Sequence, residues 1–251
     1  MSEEDWFASW FDTPWYHLLY AHRDELEAAE FIRNLVTCIP LQPGSFVLDA
    51  ACGKGRHARM LHQLGMITDG FDLSEKSIVA ANKQAAEGLH FFVHDMRYPF
   101  REATYDAVFN LFSSFGYFET DEMNQQALHS MVSAVKPGGY FVIDYLNPEY
   151  VVKHLVSKEI INRGEIQFHI SRRIEKGQVI KDIQFLDKQE HHHYQERVRL
   201  INYRIFCEWI AGTGLLIKQV FGSYALAPFD SGTSSRIIFV CRKNAHYVGS
   251  H

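Results

Sequence analysis

The chain has 251 residues, 47% of them hydrophobic and 22% charged, with a formal net charge of −5. That length and composition suit one soluble domain with an embellishment. No apolar run reaches the roughly 18 residues of a membrane span, and the acidic balance argues against a protein that grips long nucleic acid through its phosphates.

The first residues, Met1-Ser2-Glu3-Glu4-Asp5, are acidic where a secretory leader is basic. Cys38, Cys52, Cys207 and Cys241 are too scattered for a disulfide framework or zinc site and read as reduced thiols, which places the chain in the cytoplasm. Aromatic residues crowd the next stretch, Trp6, Phe7, Trp10, Phe11, Trp15, Tyr16 and Tyr20, and must cover something. Thr13-Pro14 reads as a cap followed by a first-turn proline, so a short helix begins there. A second helix is expected from Arg23 to Cys38, where Ala29, Ile32, Val36 and Ile39 recur at helical spacing.

From Gly44 short apolar runs alternate with helical stretches. The expected strands are Phe46–Ala50, Thr68–Phe71, Leu89–Val93, Ala107–Leu111 and Tyr140–Leu146. Helices are expected at Gly55–Gln63, Glu75–Glu87 and Asp121–Val135, the last capped by Thr120. This alternation argues for parallel strands joined by right-handed crossovers, hence a doubly wound α/β sheet. After Asn147-Pro148 the period becomes two, as in Ile166/Phe168/Ile170 and Val179/Lys181/Ile183/Phe185, with Glu175-Lys176-Gly177-Gln178 as a hairpin turn. Residues 148–200 therefore read as an antiparallel β insertion, a lid or a dimer surface. A helix over Asn202–Ala211 and strands over Leu215–Tyr224 and Arg236–Arg242 return to the first sheet.

Three places carry chemistry. Val47-Leu48-Asp49-Ala50-Ala51-Cys52-Gly53-Lys54-Gly55 runs from a strand through a small-residue turn into a helix, so free N–H groups at the helix start and the Asp49 carboxylate face one place. A ligand with both a carboxylate and an ammonium satisfies both. At the second strand's end Asp72 can accept from both hydroxyls of a ribose. After the third strand, Asp95-Met96 can read the edge of an adenine. All three stand where open α/β sheets bind ligands. His191-His192-His193 invites a metal, but no third ligand has clear spacing, and a solvated strand face is the expectation.

The order D-x-x-C-G-x-G, an acid after the second strand and Asp after the third resembles the class I S-adenosylmethionine-dependent methyltransferases. Tyr105-Asp106-Ala107-Val108-Phe109-Asn110 and Lys136-Pro137-Gly138-Gly139 support it. A narrower likeness, to largely uncharacterised bacterial methyltransferases, rests on Cys52-Gly53-Lys54-Gly55-Arg56-His57, Asp95-Met96-Arg97 and Asn110–Phe118. The resemblance implies a mostly parallel, seven-stranded, Rossmann-like sheet at 44–147 and 201–243, outside the helical arm 1–43, the insertion 148–200 and the tail 244–251. It implies S-adenosyl-L-methionine as cofactor, with Asp49, Ala50, Gly53 and Gly55 at its methionine part. Asp72 and Leu73 fall at the ribose, Asp95 and Met96 at the adenine, and Asn110 and Phe112 near the methyl group. Tyr20, with Tyr16 and Arg23, is expected to close over the cofactor, and Ser113, Tyr117, Tyr145 and Tyr224 to line the acceptor pocket. Ala51 replaces a glycine of the family's turn, which alanine fits if its φ is negative.

The function implied is methyl transfer to a small-molecule acceptor, with no membrane partner; the absence of an Asn/Asp-Pro-Pro-Tyr signature adds to the case against nucleic acid. A homodimer stays open, and no catalytic residue is named; His94, Tyr117 and Tyr224 are candidate bases. Gly53-Lys54-Gly55-Arg56-His57-Ala58 also fits the dinucleotide pattern G-x-G-x-x-A, which makes an NAD-dependent oxidoreductase the rival. A non-catalytic S-adenosylmethionine-binding protein is the other.

Overall fold

The computed structural model describes residues 6–21 and 25–245. Two short helices come first, α1 (Trp6–Trp10) and α2 (Pro14–Leu19), followed by α3 (Glu25–Cys38). The Thr13 hydroxyl accepts from the Tyr16 N–H and Pro14 opens α2, so that helix starts where the sequence says; α1 was not expected. The expected Arg23 start of α3 lies outside the described residues.

The doubly wound unit follows: β1 (Phe46–Ala50), α4 (Arg56–Gln63), β2 (Ile67–Asp72), α5 (Glu75–Asn82), β3 (Leu89–Val93), β4 (Tyr105–Asn110), α6 (Asp121–Ser133) and β5 (Val135–Leu146). Next come α7 (Pro148–Lys153), then β6 (Lys158–Arg163), β7 (Ile166–Glu175), β8 (Gln178–Asp187) and β9 (Glu190–Arg199). The chain closes with α8 (Tyr203–Gly212), β10 (Leu215–Phe221) and β11 (Arg236–Lys243).

The larger sheet has seven strands in the order β10-β11-β5-β4-β1-β2-β3. It is a doubly wound, Rossmann-like sheet, parallel except at β11, which pairs antiparallel with both β5 and β10. The chain lays down β1, β2 and β3 in one direction, then returns to place β4 on the other side of β1. The carboxyl ends of β1 and β4 therefore flank a topological switch point, where such sheets leave a crevice.

Alternation along the strands sends side chains to two cores. Leu48, Val108, Phe141 and Ile143 pack with Ala127, Leu128 and Met131 of α6 and Phe206 and Ile210 of α8. Val47, Ala107, Phe109 and Val142 pack with Phe31, Ile32 and Leu35 of α3 and Leu61 of α4.

The insertion forms an antiparallel sheet of four strands in chain order. Lys176 and Gly177 both have positive φ, 48° and 73°, the mirror-image turn that suits a two-residue hairpin loop. One face of this sheet, with Phe168, Ile170, Ile183 and Phe185, packs against Trp10 and Leu19 of the N-terminal arm. The arm's other side meets the larger unit, with Trp6 and Phe11 edge-on to Tyr117 and Phe7 edge-on to Phe118. The aromatic arm is thus the filling between two sheets.

His191 and His193 are exposed, and His193 Nε2 lies 3.2 Å from Asp182 Oδ1. His192 packs against Trp15, with ring centroids 4.1 Å apart and the planes tilted by 39°. Among the described residues no group of three or more His, Cys, Asp or Glu could hold a metal ion, and no helix is long and apolar enough to cross a membrane.

Candidate functional site

At the carboxyl end of β1 the chain must turn sharply to enter α4, and it does so through three residues with positive φ: Ala51 (59°), Gly53 (55°) and Gly55 (76°). The condition under which alanine would fit the turn, a negative φ, is not met at Ala51. It holds the left-handed conformation that glycine takes freely and that strains a residue with a Cβ. At Gly55 a Cβ would stand 2.5 Å from Phe91 Cε1, so this glycine serves close packing of the turn on β3.

Asp49 is 1% exposed and its Oδ2 accepts from the Ala58 N–H at 3.0 Å. Burial pushes its carboxyl up to about 7, aided by the nearby Asp72 charge and opposed by the Ala58 N–H and Arg56. Asp72 Oδ2 accepts from the Gly53 N–H at 2.8 Å and Oδ1 from the Ser74 N–H at 2.9 Å, tying the glycine turn to the start of α5. Burial raises this carboxyl too, against those backbone donors. Asp95 is held by Arg97, which donates from Nη2 at 2.6 Å and from Nε at 2.9 Å.

A cavity of about 620 Å³ opens between these turns and the arm, within the range of small-molecule sites, about 300–1,000 Å³. Gly53, Asp72, Leu73, Asp95, Met96, Phe112, Tyr117 and Tyr20 line it, so residues far apart in the chain meet at one rim. Asp49, Ala50, Gly55 and Asn110 stand behind that wall. Asn110 is buried at the switch point, where its Nδ2 donates to the Ala50 carbonyl at 3.0 Å and its Oδ1 has no partner.

The expected acceptor residues are corrected in part. Tyr117 lines the cavity and donates to the Ser113 carbonyl at 2.7 Å. Tyr145 does not: it is fully buried among Phe115 and Phe206 and donates to the Arg199 carbonyl. Its neighbour Asp144 takes the opposite side of β5, as alternation requires. Tyr224 stands behind Phe112, stacked on it at 4.7 Å, and Ser113 is off the wall while Ser114 is on it.

Phe112 and Ser113 have positive φ, 58° and 57°, and a buried ion pair holds them there. Asp144 accepts from the Phe112 N–H at 2.7 Å and from Arg236 Nε at 2.8 Å, while Arg236 Nη2 donates to Ser113 Oγ at 2.8 Å. Burial is the largest single influence on the Arg236 guanidinium and works against its charge, but attraction to Asp144, the hydrogen bond to it and the neighbouring Tyr224 and Tyr117 together outweigh burial and raise its pKa.

The arm roofs the cavity with Phe7, Phe11, Tyr16, His17 and Tyr20. The Tyr20 hydroxyl donates to Glu196 at 2.8 Å and accepts from Lys181, so the inserted sheet anchors it. Arg23 lies outside the described residues. Sequence reasoning missed His17, Lys54, Arg56 and His57 on this wall; the only signal for His17 was its place among the arm's tyrosines.

A model of the methyltransferase domain matches residues 47–139. The chain is 32% identical over 167 residues to dTDP-3-amino-3,4,6-trideoxy-alpha-D-glucopyranose N,N-dimethyltransferase of Streptomyces venezuelae, covering 64% of this chain and 69% of that one. It is 30% identical over 123 residues to rat glycine N-methyltransferase, with 42% of each chain covered. A solved S-adenosylmethionine-dependent methyltransferase from Clostridium acetobutylicum shares the fold at a TM-score of 0.77 and 19% identity, over 95% of this chain and 98% of that one.

Proposed function

The chain belongs to the class I S-adenosylmethionine-dependent methyltransferases, and on that premise we propose that it transfers the donor's methyl group to a small-molecule acceptor held beneath the aromatic arm. The observation that carries this reading is the common rim: the Gly53 turn, Asp72 and the Asp95-Met96 pair face one cavity that the arm covers. A size of about 620 Å³ suits donor and acceptor together.

The residues fit the donor. The carboxylate of Asp49 stands behind the turn that opens α4, giving one negative and one positive pole for an amino-acid moiety. Asp72, with both oxygens already bonded to backbone N–H groups, keeps lone pairs for ribose hydroxyls. Met96 and Asp95 face the same space, with Arg97 fixing the Asp95 carboxylate in one orientation.

When bound, the donor supplies a methyl group made electrophilic by its sulfonium. The protein's part is alignment and exclusion of water, which can lower such a barrier by about 7–11 kcal/mol when the geometry is well set. Asp144 and Arg236 set the Phe112–Ser114 segment at the end of β4, and the arm's Phe7, Phe11 and Tyr16 close the far side. Of the three candidate bases, two are not poised for the task. His94 lines the cavity, and a proton on Nε2 facing the Tyr98 carbonyl at 2.9 Å leaves Nδ1 as its basic nitrogen, whereas Tyr117 donates its hydrogen bond to the Ser113 carbonyl. Tyr224 is half-buried and off the cavity, with its hydroxyl pushed far up by desolvation. Transfer to a neutral amine needs no such base, because the resulting ammonium can give its proton to water after the bond has formed.

A small acceptor is supported by the arm's cover and by the acidic net charge of −5, which suits no long polyanion. It is supported too by the Streptomyces venezuelae relative, whose name gives a nucleotide-linked amino sugar as its acceptor. The insertion, on this reading, is the outer layer of the lid.

Thermal melts with S-adenosylmethionine, S-adenosylhomocysteine and NAD test the donor, since a ligand at 100 times its dissociation constant adds about 2.7 kcal/mol of stability. The first two should raise the melting temperature and NAD should not; the reverse pattern would overturn the reading. A screen of fractionated small metabolites against labelled donor then seeks the acceptor. Label appearing only in protein or RNA would refute the small-molecule part.

A further inference from the structure

Resting on the methyltransferase reading, we propose that His17 is a cofactor-binding residue whose Nε2 hydrogen-bonds a ribose hydroxyl of the methyl donor. His17 lies in α2 and lines the same cavity as Gly53 and Asp72. Its Nε2 is buried with no hydrogen-bond partner. An orphaned buried polar atom is costly and rare in a native structure. A ligand group that fills the cavity and meets this atom removes the cost.

The arm's anchorage says which part of the donor that is. Asp12, on the same arm, accepts from the Ser74 hydroxyl and from the Lys76 N–H at 3.3 Å, and its carbonyl accepts from Lys76 Nζ at 3.2 Å. Ser74 in turn gives its N–H to Asp72 at 2.9 Å. The arm is therefore clasped at Asp12 to the turn after β2, next to Asp72. His17 and Asp72 line the same cavity, and both are assigned to one sugar.

The charges around the imidazole suit a neutral partner. Lys54, Lys76 and Asp12 face it; burial and the two lysines outweigh Asp12 and lower it to about 4, so it is neutral at physiological pH. A neutral imidazole presents Nε2 as a donor in one tautomer and an acceptor in the other, and a hydroxyl answers either. An ammonium or a carboxylate answers only one.

Calorimetric titration of the full chain with S-adenosylhomocysteine and with its 2′-deoxy and 3′-deoxy analogues tests the assignment, without any need for the acceptor. His17→Phe should weaken S-adenosylhomocysteine about tenfold, the worth of one hydrogen bond in a buried site. It should also narrow the wild-type preference over one of the two analogues by a similar factor. His17→Gln, whose amide both donates and accepts, should restore part of that preference; it also serves as the folded control if the phenylalanine variant melts early. Wild-type ratios among the three ligands in both variants would overturn the proposal, even if every affinity fell together, because that pattern describes a loosened arm. A wild-type chain that binds no S-adenosylhomocysteine would sink the donor assignment itself, and this inference with it.

Discussion

Replacing Asp49 by Asn should make the ligand-free protein more stable and a poorer binder of its donor. Asp49 is buried, and its carboxyl is raised from 3.8 to about 7. Between those two values the native state holds a proton that the unfolded chain has released. Native stability therefore falls as pH rises through this window, and the loss is complete above about pH 7. Three pH units amount to about 4 kcal/mol in all, of which roughly 3 kcal/mol develops between pH 5 and pH 8. Asparagine keeps a carbonyl oxygen for the Ala58 N–H and carries no charge at any pH. The stability gap between Asp49→Asn and wild type should thus widen by roughly 3 kcal/mol from pH 5 to pH 8, or about 6–12 °C in Tm for a chain of this size. Calorimetric melts of both proteins without ligand at pH 5, 6, 7 and 8 measure it. At pH 8 the variant should bind S-adenosylhomocysteine at least tenfold more weakly, having lost the charge that meets an ammonium. A gap that stays flat across the four pH values would refute the reasoning, because it would mean that Asp49 ionises in the native state as it does in the unfolded chain.

Three further changes probe the same rim. Ala51→Gly should gain up to about 1 kcal/mol in chemical denaturation, since release from a left-handed φ of 59° exceeds the added freedom of the unfolded chain; a loss would mean that the turn is unstrained. Asp72→Asn should weaken the donor by about 10- to 100-fold in calorimetry, through the ribose and by leaving one of the N–H groups of Gly53 and Ser74 facing an amide nitrogen. Arg236→Met strands the fully buried Asp144 charge and should cost about 3–5 kcal/mol in urea denaturation. Under conditions where that variant stays folded, turnover should fall more than donor affinity, because the Phe112–Ser114 segment loses its brace.

The β1 turn was legible because a strand, a run of small residues and a helix start follow one another within a dozen positions. Period two likewise disclosed an antiparallel insertion of about three or four strands, and four are present. Local pattern misled where the long-range path decides. The expected helix to Glu87 stops at Asn82, because Ala86 bridges to Leu89 and Gly88 turns at φ 78° so that β3 can start. Tyr145 was expected at the acceptor because it ends a strand, but neighbours on a strand face opposite ways, and only the packed structure says that Asp144 has the site side. The Asp144–Arg236 pair joins residues 92 apart and has no local signature. The arm's aromatics announced burial without saying against what; His17 shared that ambiguity.

One segment, residues 6–21, serves two clients. On one side it supplies Trp10 and Leu19 to the apolar face of the four-stranded sheet, and on the other it walls the cavity with Phe11, His17 and Tyr20. Evolution cannot trim the appended sheet without stripping the segment of its backing, nor swap the segment without exposing the sheet. Acceptor preference in this architecture should therefore drift as a package, with substitutions in 6–21 matched by compensating ones in 158–199, while the donor turns stay as they are.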